Sequence, residues 1–413
     1  MTINEYFLQA LKASLQNDKV QWEELSPQEW SGLFKQAQIH NVLPMIYEAV
    51  YSCPAAQKLE PAVLQTFKRQ TVQQVMLQTI KTGEFLQLNR SLQEAGITPL
   101  VVKGVICRTL YPKPDHRQSS DEDVLIPAEQ FPSCHAAMEA FGMHLLEPEK
   151  DMYSAYEVPY GKQNSPLYIE LHKSLFPPES DAYGEFNRFF KNVFDRKIQE
   201  IIQGIPVYTM EYTDHLFYLI CHAFKHFLHS GFGIRQVCDI VMFANAYGDK
   251  INWLLVLDQC REIRADLFTA ALFQIGWKYL NFDPDAACYP AEWRKIQVDE
   301  LAMLEDLLSS GIYGASDMSR KHSSNITLNA VSDHKKGKKT DYSVLKTAFP
   351  SAKSLEGRYS YLKKQPYLLP VAWADRILKY RKETGSVAND NAADAIKIGS
   401  QRIELMRQYG IIK

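Results

Sequence analysis

The 413-residue chain lacks any run of about eighteen consecutive apolar residues, so no membrane-spanning helix is expected. It has no Cys-x-x-Cys pair, and its seven cysteines form an odd, scattered set. A disulfide frame is therefore not expected, and the cysteines read as reduced thiols of a cytoplasmic protein. Positive charge is not in excess: the formal net charge is −2, which gives no global attraction to nucleic acid. The first residues, MTINEYFLQALKASLQ, have no basic segment leading into an apolar core, so no secretory signal is expected. No internal repeat or low-complexity tract is apparent. What is present is an ordinary globular composition, 46% hydrophobic and 23% charged. The length suits two or three domains and a sizeable core.

Hydrophobic periodicity divides the chain into four regions. Residues 1–95 read as helices. Ile3, Tyr6, Phe7, Ala10 and Leu11 form one stripe. Ser26-Pro27 is a start signal for another helix that carries Trp30, Leu33, Phe34 and Ala37. A long helix is expected from Lys58 to Ala95, with an interruption possible at Gly83. Residues 96–210 read as α/β, with short strands at Leu100–Val102, Val124–Ile126, His144–Leu146, Tyr153–Val158, Leu167–His172 and Ile205–Tyr208. Helices are expected at Val105–Tyr111, Glu129–Phe141 and Phe186–Ile202. Residues 211–330 return to helix: one capped by Thr213-Asp214, then Ile234–Ala246, Asp258–Leu280 and Val298–Ser309. Ser310–Thr340 reads as a loop rich in Ser, Gly, Asn and charge, and His334–Lys339 (HKKGKK) is a basic cluster open to a nucleic-acid or phosphate role. Residues 331–413 read as a linker and a helical tail, with helices expected at Val371–Arg381 and Ala392–Tyr409.

The chemistry concentrates between Thr98 and Pro127, TPLVVKGVICRTLYPKPDHRQSSDEDVLIP. Alternation along a strand points Asp121 and Asp123 to one face and Glu122 to the other. Two adjacent carboxylates repel unless a cation lies between them, and hard oxygen donors suit Mg²⁺ or Mn²⁺. Gly104 allows close approach of a bulky anion at a helix start, and Lys103 adds a positive charge. A phosphate cradle beside paired acids is the equipment for metal-assisted phosphoryl or nucleotidyl transfer. Further along, Glu170 and His172 share a strand face. His222 and His226 sit one helical turn apart with His229 beyond, a spacing that can bind Zn²⁺, although the Glu of a His-Glu-x-x-His motif is replaced by Ala223.

The string LVVKG at 100–104, then LYP at 110–112, Arg117, Ser120, Asp121 and Asp123 followed by VLIP, resembles the uncharacterised bacterial nucleotidyltransferases of the polymerase-β superfamily. That resemblance implies an α+β fold: a small mixed polymerase-β-like nucleotidyltransferase sheet flanked by mostly helical N- and C-terminal regions. It implies a third acid on a later strand, at Glu170 two residues before His172, and Mg²⁺ or Mn²⁺ on Asp121, Asp123 and Glu170. The substrate would be an NTP, held by Lys103, Gly104, Arg117 and Ser120, and the acceptor a hydroxyl of a protein, RNA or small molecule. LICHAFKHFLHSGFGIRQVCDIVMF resembles the same family's helical portion, which places Lys225, His226, Arg235 and Asp239 on the cleft wall facing the acids. Lys103-Gly104 stands where the superfamily has a Gly-Ser turn, and Glu122 where it has an apolar residue. Two other readings compete: a non-catalytic protein retaining the nucleotide cleft, and a metal hydrolase built on His222, His226 and Asp239.

Overall fold

The computed structural model describes residues 1–311, 318–337, 359, 361–362, 365–375 and 392–413. The chain forms an α+β fold around one seven-stranded mixed sheet, in the order β3-β4-β5-β2-β1-β7-β6. The strands are β1 (Leu100–Val101), β2 (Glu122–Leu125), β3 (Met143–Leu145), β4 (Glu157–Lys162), β5 (Tyr168–His172), β6 (Ile198–Ile202) and β7 (Ile205–Thr209). Before the sheet come α1 (Ile3–Leu15), α2 (Pro27–Ile39), α3 (Leu43–Val50), α4 (Pro54–Gln57) and α5 (Pro61–Glu94). Within it lie α6 (Gly104–Arg108) and α7 (Phe131–Ala140). After it follow α8 (Tyr212–His229), α9 (Ile234–Tyr247), α10 (Trp253–Glu262), α11 (Asp266–Tyr279), α12 (Ala291–Arg294), α13 (Glu300–Ser310), α14 (Met318–Lys335) and α15 (Ala392–Gln408). Among the described residues no helix is long and apolar enough to cross a membrane.

Each face of the sheet has its own core. Val101, Val124, Ile126, Val158, Ile169, Leu171 and Val207 meet Phe85, Leu88 and Leu92 of α5 and Phe131, Cys134 and Met138 of α7. Leu100, Val102 and Leu125 on the opposite face join the larger helical core of α8, α9 and α11. Helix α8 is tied to the sheet by His215, whose Nε2 donates to the Val102 carbonyl at 2.8 Å. At its start the Glu211 carboxylate accepts from the amides of Thr213 and Asp214, both at 2.9 Å, so the cap is Glu211 and not the pair expected.

Several expected segments differ. Helix α5 runs through Gly83 without a break. The strand expected at Tyr153–Val158 lies at Glu157–Lys162. The segment expected as a helix at Phe186–Ile202 is a 3₁₀ turn at Gly184–Phe190 and then β6. Ile202 pairs with Ile205 across a two-residue turn in which Gln203 and Gly204 have φ of 50° and 78°. Two consecutive left-handed residues match the twist of a hairpin, and this turn overrides the helical pattern before it. Asp258–Leu280 is not one helix, because Arg264 takes φ 58° and separates α10 from α11. The loop expected after Ser310 contains α14, which packs on α15. Its Thr327 hydroxyl donates to the His229 carbonyl at 2.8 Å. In the basic cluster, Lys335 pairs with Glu185 and Lys336 with Asp181, so these two lysines face acids of the same chain. Lys338, Lys339 and the Arg376–Arg381 end of the expected tail helix lie outside the described residues.

Two buried histidines make the fold acid-sensitive. His40 is 1% exposed and donates Nε2 to the Leu308 carbonyl at 3.2 Å, joining α2 to α13. Burial drives His40 and His215 from their ordinary 6.5 down to about 4. Above pH 6.5 each is neutral in both folded and unfolded chains and has no effect on the balance. Between 6.5 and about 4 only the unfolded chain gains the proton, so stability is lost as pH falls, by roughly 1 kcal/mol per pH unit for each group. Urea unfolding at pH 7, 6, 5 and 4.5 is expected to show this decline, and His40→Gln is expected to flatten the slope by about one group's share. An unchanged slope in a folded His40→Gln protein would contradict the assignment.

Candidate active site

The site is built by a register. Strands β2 and β5 run parallel with Asp123 opposite Glu170 and Leu125 opposite His172. Alternation sends Val124, Ile169 and Leu171 into the core against α5 and α7, and Asp123, Glu170 and His172 to the other face. There a cavity of about 420 Å³ opens beneath α8. Lys103, Asp121, Asp123, Glu157, Glu170 and His172 line its sheet side, and Tyr218, His222, Lys225 and His226 line its α8 side.

The acids lie close together and are largely buried. Asp123 is 1% exposed, with Oδ2 2.8 Å from the Lys103 ammonium and Oδ1 3.6 Å from His172 Nε2. Burial opposes its charge, but Lys103 and His172 together hold its carboxyl well below the usual carboxylate range. Glu170 behaves oppositely. Burial, then the negative charges of Asp123, Asp121 and Glu157, push it up to about 9. With no cation present, the cluster therefore keeps a proton on Glu170. Asp123, Glu170 and His172 each offer a ligand atom, all within 4.8 Å of one another. Carboxylates this crowded, beside a buried imidazole, fit a divalent cation that would take the place of the proton.

The opposite face of β2 explains Glu122. Its side chain, fully buried, forms an ion pair with Arg108 of α6, and its Oε2 accepts the Val105 amide at 2.7 Å. Gly104 has φ 49°, and a Cβ there would lie 1.8 Å from Glu122 Oε2. The anion closely approaching the Gly104 turn is thus the protein's own carboxylate, which corrects the expectation of a phosphate at these amides. Lys103 lines the cavity, but its ammonium is engaged by Asp123 and lies 3.3 Å from His222 Nε2.

Other expected contacts are also reassigned. Gly104, Arg117, Ser120 and Arg235 are not on the cavity wall. Arg117, 2% exposed, grips Asp239 of α9 through Nε at 3.0 Å and Nη2 at 2.5 Å, and the Tyr111 hydroxyl donates to the same carboxylate at 2.7 Å. Arg235 donates to the Gln118 carbonyl. These buried pairs fasten the 111–120 segment to α9, because an unpaired charge there would be costly. Asp239 is not on the cavity wall, and among the described residues Asp239, His222 and His226 do not form a group of ligand atoms that could hold a metal, which tells against the metal hydrolase reading. The two histidines, with Nε2 atoms 3.3 Å apart, are kept neutral by burial, reinforced by Lys103 for His222 and by Lys225 for His226. Lys81 of α5 went unrecognised in the sequence. Its ammonium donates to the carbonyls of Ser119 at 2.6 Å and Ser120 at 2.9 Å, just before Asp121. Gln78 Oε1 accepts the Ser119 amide at 2.8 Å. Both look like ordinary polar positions of a long helix, and only contacts across about forty residues reveal them.

A mixed sheet with clustered acids on adjoining strands faces a wall of α8 that carries Lys225, His222 and His226. The model of a family described as "Uncharacterised nucleotidyltransferase" matches residues 26–277, more than half of the chain, and the protein belongs to that family. No curated protein and no solved structure matches the chain.

Gly104→Ala tests the turn. Its methyl group meets Glu122 and the residue must hold a left-handed φ, so a loss of about 3 kcal/mol or more is expected in urea unfolding. Arg108→Met, which strands the Glu122 charge, is expected to cost about 3–5 kcal/mol. A Gly104→Ala protein of parental stability that fails to bind nucleotide would restore the phosphate cradle.

Proposed function

We propose that the protein is a divalent-metal-dependent nucleotidyltransferase, moving a nucleoside monophosphate from an NTP to an acceptor hydroxyl. The observation that carries this reading is the parallel register that sets Asp123 beside Glu170 at a cavity facing Lys225 and His226. Asp121, Asp123 and Glu170 would hold Mg²⁺ or Mn²⁺. Such an ion, when bound, supplies charge neutralisation at the phosphates and makes the acceptor hydroxyl more acidic. Lys103 orients Asp123 by holding Oδ2 and leaving Oδ1 toward His172. Lys225 and His226 are the groups for the triphosphate. Burial shifts the Lys225 ammonium down, with Glu157 opposing, so an anion placed beside it would be bound in a poorly solvated setting where charge-assisted hydrogen bonds are strong. Glu122, the departure from the superfamily pattern, points away from the cavity and is paired with Arg108.

In this reading residues 96–210 are the catalytic unit, framed by 1–95, 211–330 and 331–413. The seven cysteines are all free thiols, six of them buried, which suits the cytoplasm. The Lys103 ammonium on Asp123 favours one second reading, a nucleotide-binding protein without transfer.

Incubating the protein, a lysate and Mg²⁺ with each NTP labelled at the α-phosphate is expected to label an acceptor. Whether that product is protein, RNA or a small molecule names the acceptor class. Asp121→Asn, Asp123→Asn and Glu170→Gln should each lower labelling by about 100-fold or more with the fold retained. Calorimetric titration with Mg-ATP should show Lys225→Ala weakening binding by about 1–3 kcal/mol. Nucleotide binding with no labelled product under any condition would favour the second reading.

A further inference from the structure

A buried imidazole with no hydrogen-bond partner is costly, and a folded protein rarely keeps one without use. His172 is 3% exposed and lines the cavity, and among the described residues neither ring nitrogen has a hydrogen-bond partner. Its nitrogens are nonetheless aimed. Nε2 lies 3.6 Å from Asp123 Oδ1 and 3.8 Å from Glu170 Oε2. Nδ1 lies 3.7 Å from Glu157 Oε2. The Glu157 arrangement is built into the sheet, because Glu157 is the residue opposite His172 in the antiparallel β4–β5 pair. Lys103 occupies the other oxygen of Asp123, so Oδ1 is left on the His172 side.

We propose that His172 is a metal ligand through Nε2, that Glu157 orients it through Nδ1, and that this mixed donor set makes the site prefer a first-row transition dication to Mg²⁺. A carboxylate on the far nitrogen fixes the tautomer and ring angle of a metal-binding histidine and raises its basicity. Two carboxylate oxygens alone would suit Mg²⁺, which keeps to oxygen donors and sheds water reluctantly. An imidazole nitrogen adds a softer donor that Mn²⁺ and later first-row ions accept more readily. The inference rests on the cation site of the proposed transferase but not on the transfer reaction.

The test uses the metal-stripped full chain with Mn²⁺ as the probe and Mg²⁺ as competitor, read by pulsed electron paramagnetic resonance. The bound Mn²⁺ signal is expected to carry nitrogen coupling, which changes when the protein is grown with ¹⁵N-histidine. Mg²⁺ should displace Mn²⁺ only at about tenfold excess or more. His172→Gln should abolish the coupling and bring the two affinities close to parity, with its melting curve showing that it is folded. Glu157→Gln should weaken Mn²⁺ by about tenfold while keeping the coupling. Absence of nitrogen coupling in the parent overturns the proposal without any variant. Coupling that survives in a folded His172→Gln, or an unchanged Mn²⁺ preference there, overturns it as well. Labelled product with Mg²⁺ and no nitrogen coupling would remove this inference and leave nucleotidyl transfer standing. Coupled Mn²⁺ without labelled product would do the reverse.

Discussion

Two neighbouring carboxylates on β2 are buried on opposite faces of the sheet, and each requires its own cation. Glu122 finds Arg108 on the α6 side, and Asp123 finds Lys103 on the α8 side. Burying a carboxylate without a partner is prohibitive, so the strand cannot seat unless both cations arrive. The Lys103-Gly104 turn answers both demands at once. Lys103 projects to one face. Gly104, having no side chain, leaves room for Glu122 on the other, and α6 then delivers Arg108 one turn later. The stretch from Lys103 to Asp123 is thus one electrostatic unit, and the site is its exposed consequence.

The same logic extends to the surrounding helices. The segment that enters β2 has little regular structure of its own, and two helices hold it by polar contacts. Helix α5 sends Lys81 and Gln78 to Ser119 and Ser120. Helix α9 offers Asp239 to Arg117 and Tyr111, and Arg235 to Gln118. Asp121 follows immediately. The acids are positioned by helices from both sides of the sheet in sequence, which keeps their geometry defined despite their mutual repulsion.

Much of this was legible in the residues. The period-two pattern separates Asp121 and Asp123 from Glu122, and the same pattern puts Glu170 and His172 on one face. The Ser26 cap is visible in the Ser26-Pro27 start signal, and the structure adds a full capping box with Glu29. Other features were hidden for physical reasons. β6 looks helical until the Gln203-Gly204 turn is weighed. α14 has a weak apolar pattern because it buries Ser323, Ser324 and Thr327 alongside Ile326, Ala330 and Val331, so tertiary contact rather than amphipathicity defines it.

What the sequence determined by itself is local: which residues alternate in a strand, where turns fall, and that acids of one kind share a face. These follow from backbone geometry and extend over a few residues. What only the tertiary structure decided is partnership. Nothing in the sequence says that Lys103 belongs to Asp123, that Glu122 occupies the Gly104 turn, that Arg117 and Asp239 lock together, or that Glu157 backs His172. Each of these joins residues that lie from 15 to more than 100 positions apart, or on strands whose register is known only once they pair. A charge carries no label for its partner. Desolvation makes a partner compulsory, and packing selects which one is within reach.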